Sequence, residues 1–101
     1  MANIFDSLKQ LGQLRQQAAK FQKMLASKIV EVSSPDGEVK LKVNGKMELI
    51  SIEIAPDILK RENKVHLERL IKKTFSSAQK EVEKVISSEL KSQIGSFNLP
   101  F

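Results

Sequence analysis

The single histidine, His66, with Asp57 and Glu62 nearby in the chain, is the one combination in this sequence able to relay a proton or ligate a metal. Nothing else supports it in either role. The chain has no cysteine, which excludes disulfides, thiolate metal sites and thiol redox chemistry. Gly12, Gly37, Gly45 and Gly95 are scattered along the chain and form no loop that would cradle a phosphate. No serine stands beside a base, and no aspartates cluster. A lone histidine near a helix start reads as a surface residue. Catalysis, a cofactor, a bound metal and a small-molecule substrate are therefore not expected.

The cationic side chains offer a different chemistry. Lysine and arginine neutralise phosphates and release the counterions condensed on a nucleic acid. Residues 1–30 hold five basic side chains, Lys9, Arg15, Lys20, Lys23 and Lys28, against the one acid Asp6, a net +4. Residues 31–55 carry −2 and residues 56–101 carry +3, so the excess of +5 lies on the flanks of the chain. Between Ser7 and Val30 there is no acid at all, although solvated helices usually mix Glu with Lys to gain pairing energy. Two readings compete for this segment: a solvated lysine-rich face, or a phosphate-contacting face. Gln10, Gln13, Gln16, Gln17 and Gln22 would add hydrogen bonds to phosphates or base edges in the second. A second basic group, Arg69, Lys72, Lys73, Lys80 and Lys84, is offset by Glu68, Glu81 and Glu83, and there the solvated face is the favoured reading. Stacking on single-stranded bases is not expected, because the chain has no Trp or Tyr and its five Phe are not spaced as platforms.

These groups need elements to carry them. Ile4, Leu8, Leu11, Leu14, Ala18, Phe21 and Leu25 recur at steps of three and four, which predicts a helix over 3–27, capped by Asn3 or Asp6. Gly12 is its weak point. Leu67, Leu70, Ile71, Phe75, Ala78, Val82, Val85, Ile86 and Leu90 predict a second helix over 64–93, capped by Asn63 and stopped by Gly95. Between the helices the period falls to two. Strands are expected at 28–34, 38–43 and 48–55, forming a three-stranded antiparallel meander. Its apolar face is Val30, Val32, Val39, Leu41, Val43, Ile50, Ile52 and Ile54. Ser34-Pro35-Asp36-Gly37 suits a type I turn, which would pair Val32 with Val39 and Val30 with Leu41. Asn44-Gly45 marks the second turn, since Asn and Gly tolerate the positive φ of tight hairpins; a two-residue turn there would put Lys46 and Glu48 on the apolar face. A four-residue loop, Asn44 to Met47, is preferred, pairing Leu41 with Ile50 and Val39 with Ile52. Asp57 to Asn63 is a polar connection with one short helical turn at Ile58-Leu59, and the tail 95–101 is expected to dock.

The expected whole is one α+β domain over 1–101 with element order α-β-β-β-α. Three strands span only about 15 Å at the usual strand spacing. The helices would run roughly 37 and 45 Å, so their apolar stripes overshoot the sheet. A second copy of the chain is the simplest cover, and a homodimer is expected. No apolar run approaches the roughly 20 residues that a membrane span needs. The opening MANIFDSLKQ lacks a basic start followed by an apolar block, so no membrane contact and a cytoplasmic location are expected. A membrane-surface role for the first helix would compete with packing for the same stripe.

The opening helix with FQKM, the VKLKVNG strand and turn, the SIEIAPDIL passage, the long closing helix and the terminal NLPF together resemble the YbaB/EbfC family of small bacterial nucleoid-associated DNA-binding proteins. The most specific part is V-x-L-x-V-N-G followed by I-x-I-x-P-x-I-L. The resemblance implies an intertwined dimer with projecting helices, binding of double-stranded DNA, and a part in chromosome organisation and gene regulation at the nucleoid. It supplies no catalytic residues and no residue-by-residue DNA contacts. The expected contacts come from charge alone: Lys9, Arg15, Lys20, Lys23 and Lys28 first, then Arg69, Lys72, Lys73, Lys80 and Lys84. The competing expectation is a helical module that docks on another protein and never touches DNA.

Overall fold

Alternating valines and leucines form strands because branched side chains pack well on a pleated surface, and here they build the expected three-stranded sheet. The computed structural model of the chain describes residues 4–96. Its elements run α1 (Ile4–Ser27), β1 (Ile29–Ser33), β2 (Val39–Asn44), β3 (Leu49–Ile54), two 3₁₀ turns (Pro56–Ile58 and Arg61–Asn63) and α2 (Lys64–Ser96). The strands are antiparallel in the order β1-β2-β3. The α+β architecture expected from the periodicities is the one observed. Asn3 and the tail from residue 97 lie outside the described residues.

Both hairpins pair two residues away from the expected registers. Val32 faces Leu41 and Val30 faces Val43 in the first. Leu41 faces Ile52 and Val39 faces Ile54 in the second. Each slip is even, so the apolar face keeps its members as far as Ile52, as a period of two requires, and at the bulge Leu49 takes the place of Ile50 opposite Val43. The cause lies in the loops. The Gly37 N–H donates to the Ser34 carbonyl at 2.9 Å, closing the expected turn, but Gly37 sits at φ 72°. The chain then rejoins the ladder at Val39, whose N–H donates to the buried Ser34 Oγ at 3.1 Å.

At the second hairpin the Asn44 side chain builds the loop. Its Oδ1 accepts the Lys46 N–H at 2.9 Å and the Glu48 N–H at 3.0 Å, while its Nδ2 donates to Glu48 Oε1 at 2.8 Å. Pairing restarts at Leu49, opposite Val43, and the register breaks there, so Ile50 becomes the extra residue of a bulge. The left-handed residue is Met47, φ 60°, rather than Asn44 or Gly45 as the turn motif suggested.

Gly45 serves a different purpose. A Cβ at this position would lie 2.6 Å from the Leu25 carbonyl oxygen. Its N–H donates to that oxygen at 2.9 Å and to the Lys28 carbonyl at 3.0 Å. The last turn of α1 thus rests on bare backbone, which only glycine provides.

The core is the contact between α2 and the first two strands. Val39, Leu41 and Ile58 pack with Leu67, Leu70 and Ile71, and Val43 packs with Ala78 and Val82. The polar groups caught here are satisfied: the buried Thr74 hydroxyl donates to the Leu70 carbonyl at 2.7 Å. Two details of α2 depart from expectation. Its backbone runs through Gly95 to Ser96 instead of stopping there. Asn63 does not receive helix amides. It belongs to the second 3₁₀ turn, and its Nδ2 donates back to the Ile58 carbonyl at 3.2 Å.

The expected apolar faces are covered unequally. Leu41 is 2% exposed, whereas Ile52 opposite it is 45% exposed, because α2 lies over β1 and β2 and leaves β3 open. On α1 only Leu25 is buried, and Leu14 in mid-helix is 59% exposed. The molecule measures 70 × 29 × 18 Å with a radius of gyration of 20.0 Å, against about 13 Å for a compact chain of this length.

Candidate nucleic-acid interface

The charged residues sort themselves by element. On α1, Lys9, Arg15, Lys20 and Lys23 are all exposed. At 100° per residue they spread over an arc of about 140°: Lys9, Lys20 and Lys23 lie on the side away from the apolar stripe, and Arg15 sits at its edge, between Ile4 and Leu8. The five glutamines lie between and beside them. With no acid after Asp6 in this helix, no carboxylate competes with an incoming phosphate along most of its length. Lys28, placed with this group from sequence, lies past the helix and is tied down: its Nζ is 3.1 Å from Glu89 Oε1 on α2.

On α2, the apparent balance of Lys and Glu resolves into separate faces. Arg69, Lys72, Lys73, Ser76, Ser77 and Lys80 line one open depression on the helix, and no carboxylate lines it. Lys84 pairs with Glu81 at 3.1 Å, an exposed i,i+3 pair of the kind that adds little stability and yields readily to a stronger anion. Lys64 stands 3.9 Å from Glu68. Lys91, which was not among the expected contacts, is also exposed. Helical projection of the sequence was the signal that would have found it.

The sheet is a poor phosphate surface. Lys40 stands opposite Glu53 on β3, and Lys42 opposite Glu31 on β1, so cross-strand neighbours neutralise both. His66 meets neither Asp57 nor Glu62. Its Nε2 is 3.6 Å from Glu38 Oε2, which joins the start of α2 to the first hairpin loop. Among the described residues no cluster of three or more His, Asp or Glu is arranged to hold a metal. No helix among them is long and apolar enough to cross a membrane.

Two helices with cationic outer faces on a small sheet are the class of arrangement that the comparisons with known proteins identify. The chain belongs to the YbaB/EbfC DNA-binding family, whose model matches residues 1–97. It is 36% identical over 98 residues to a nucleoid-associated protein of Thermoanaerobacter pseudethanolicus, covering 97% of this chain and 88% of that one. A nucleoid-associated protein of Caldanaerobacter subterraneus matches at the same identity and coverage. Among solved structures, an uncharacterized protein from Helicobacter pylori shares the fold, with a TM-score of 0.74 at 17% identity, covering 93% of this chain and 99% of that one. This is a family of DNA-binding proteins and not of enzymes.

The VKLKVNG segment has a physical meaning in this chain. The three apolar residues of VKLKVNG are Val39, Leu41 and Val43, all buried against α2. Its Asn44 shapes the loop, and its Gly45 seats α1.

Proposed function

We propose that this chain binds double-stranded DNA as a homodimer, with low sequence specificity and without catalysis. Its role is in chromosome organisation and gene regulation, within the cytoplasm at the nucleoid. The observation that carries the reading is α1: a 24-residue helix with an acid-free cationic face and, behind it, an uncovered apolar stripe. Each large apolar side chain gains about 1.5–3 kcal/mol when fully buried. Ile4, Leu8, Leu11 and Leu14, together with Leu49, Ile50 and Ile52 of β3, are all left exposed by the single chain. A second copy supplies matching apolar surface, and dimerisation presents each cationic face twice to one duplex. Lys9, Arg15, Lys20, Lys23 and Lys28 are the first set of phosphate contacts. For Lys28 this means exchanging Glu89 for a phosphate. Arg69, Lys72, Lys73, Lys80 and Lys84 form the second set.

The test is a mobility shift of duplex DNA over a salt series, with sedimentation run in parallel. Affinity falls steeply as salt rises, since counterion release supplies most of it. Lys20→Glu combined with Lys23→Glu abolishes the shift and leaves the sedimentation of the dimer unchanged. A protein that gives no shift even at low salt does not bind DNA directly, and a helical protein-docking module takes the place of this reading. A monomer at micromolar concentration refutes the pairing.

A further inference from the structure

Asn44 and Gly45 are the one Asn-Gly pair in the chain. Such a pair is chemically fragile, because glycine has no side chain to shield its amide nitrogen from the carboxamide of the asparagine before it. Here both reacting groups are held. Asn44 is 6% exposed. Its Oδ1 accepts the Lys46 and Glu48 N–H groups, and its Nδ2 donates to Glu48 Oε1 at 2.8 Å. The Gly45 N–H donates to the root of α1, to the Leu25 carbonyl at 2.9 Å and the Lys28 carbonyl at 3.0 Å. While these bonds last, the carboxamide does not swing round and the nitrogen keeps its proton. The two holds differ in origin. Those on Asn44 lie within the hairpin loop, whereas those on Gly45 exist only while α1 is seated.

We propose that Asn44-Gly45 is a self-modification site held unreactive by the seating of α1, and that reaction there stops the helix from reseating. When the last turn of α1 lifts, the Gly45 nitrogen loses its proton to water and bonds to Asn44 Cγ. The Cγ–Nδ2 bond breaks, a proton returns to Nδ2, and it leaves as ammonia. Water then opens the succinimide at either carbonyl, leaving an aspartate or an isoaspartate at position 44. Both products spoil the seat. The aspartate replaces the Nδ2 donor with a carboxylate beside that of Glu48, where like charges repel. The isoaspartate routes the main chain through the former side chain and adds a methylene before Gly45. That displaces backbone packed so closely that a Cβ on it would lie 2.6 Å from the Leu25 carbonyl oxygen. The site therefore records, irreversibly, that α1 has left its seat. This holds whether or not the chain binds DNA.

The experiment follows position 44 by peptide mass spectrometry in full-length protein at mildly alkaline pH, where exchange of the amide NH2 for OH raises the mass. Reaction in the folded chain is expected to be roughly a hundredfold slower than in guanidinium chloride, since several hydrogen bonds must open first. Leu25→Ala loosens the seat but not the core under α2, to which Leu25 does not belong. It is expected to speed the reaction about tenfold. Lys28→Gln, at an exposed position that does not put folding at risk, cuts the ion pair from the root of α1 to Glu89. A gain of about twofold is expected from it. Asp36-Gly37, an exposed succinimide-forming pair at the other end of β2, is the internal control, and its isomerisation should keep one rate in all three proteins. Chains that have reacted, separated by their added negative charge, should exchange the Gly45 amide hydrogen faster than unreacted ones. Equal rates in the folded and denatured chain overturn the proposal, as do variants no faster than the unaltered protein. Equal acceleration at Asp36 assigns the effect to general unfolding and overturns it too. Unchanged Gly45 exchange in the reacted chain overturns the block on reseating.

Discussion

The two helices are built from similar residues and meet opposite fates. α2 spends most of its apolar stripe inside the chain, on Val39, Leu41 and Val43, and is held along several turns, although Phe75 and Leu90 stay exposed. α1 carries a stripe of comparable regularity, yet its attachment is concentrated at Leu25 and Gly45. An apolar stripe therefore does not say which surface it will cover. Connection length and sheet width decide that. The passage from β3 to α2 is long enough, with two 3₁₀ turns, to fold α2 back over the sheet. Between α1 and β1 there is a single residue, Lys28, and the direction of α1 follows from how its last turn sits on the second hairpin.

Substitutions that separate the two stripes test this contrast directly. The largest effect is expected at the α2 contact: Leu41→Ala should lower the unfolding free energy by about 2–4 kcal/mol, read from a denaturant melt, because it opens a cavity in the buried face. A loss below about 0.5 kcal/mol, within the range of an ordinary surface change, would remove that contact from the core. Gly45→Ala comes next, with a loss of about 2 kcal/mol from the approach of its new methyl to the Leu25 carbonyl. The same melt measures it, and a change close to zero would show that the end of α1 shifts freely. The smallest effect is expected from Leu14→Ala, and it is the most discriminating. In a lone chain it costs almost nothing. In the proposed dimer it costs about 1 kcal/mol or more per chain, and the midpoint should move with protein concentration. A midpoint independent of concentration, with no loss at all, places the α1 stripe in water.

The α+β class, the order of elements and the apolar face of the sheet were legible because they depend on period, and period survives a slip of two residues. Register was not legible. It turned on the Ser34 hydroxyl, on the Asn44 side chain accepting two amides, and on a bulge at Ile50, none of which hydropathy records. Gly45 was conspicuous in the sequence for the wrong reason. It reads as a residue needed for positive φ, and it is needed for its missing Cβ. For the interface, composition picked out the first helix, which has no acid after Asp6. It undervalued the second, because Lys and Glu that alternate along the sequence separate around the helix. The pairing of Lys28 with Glu89 joins residues 61 positions apart in the chain, a distance no local pattern bridges.

The seat at Gly45 also makes α1 a lever. Its arm is about 36 Å long at 1.5 Å per residue, with the fulcrum at one end. A tilt of about 10° at the last turn carries the far tip about 6 Å, nearly two base-pair steps at 3.4 Å each. A displacement of one carbonyl by a few tenths of an ångström is thus enlarged many-fold where Lys9 lies. Small differences in the loop after VKLKVNG would reset the reach of the whole arm while leaving every basic residue in place.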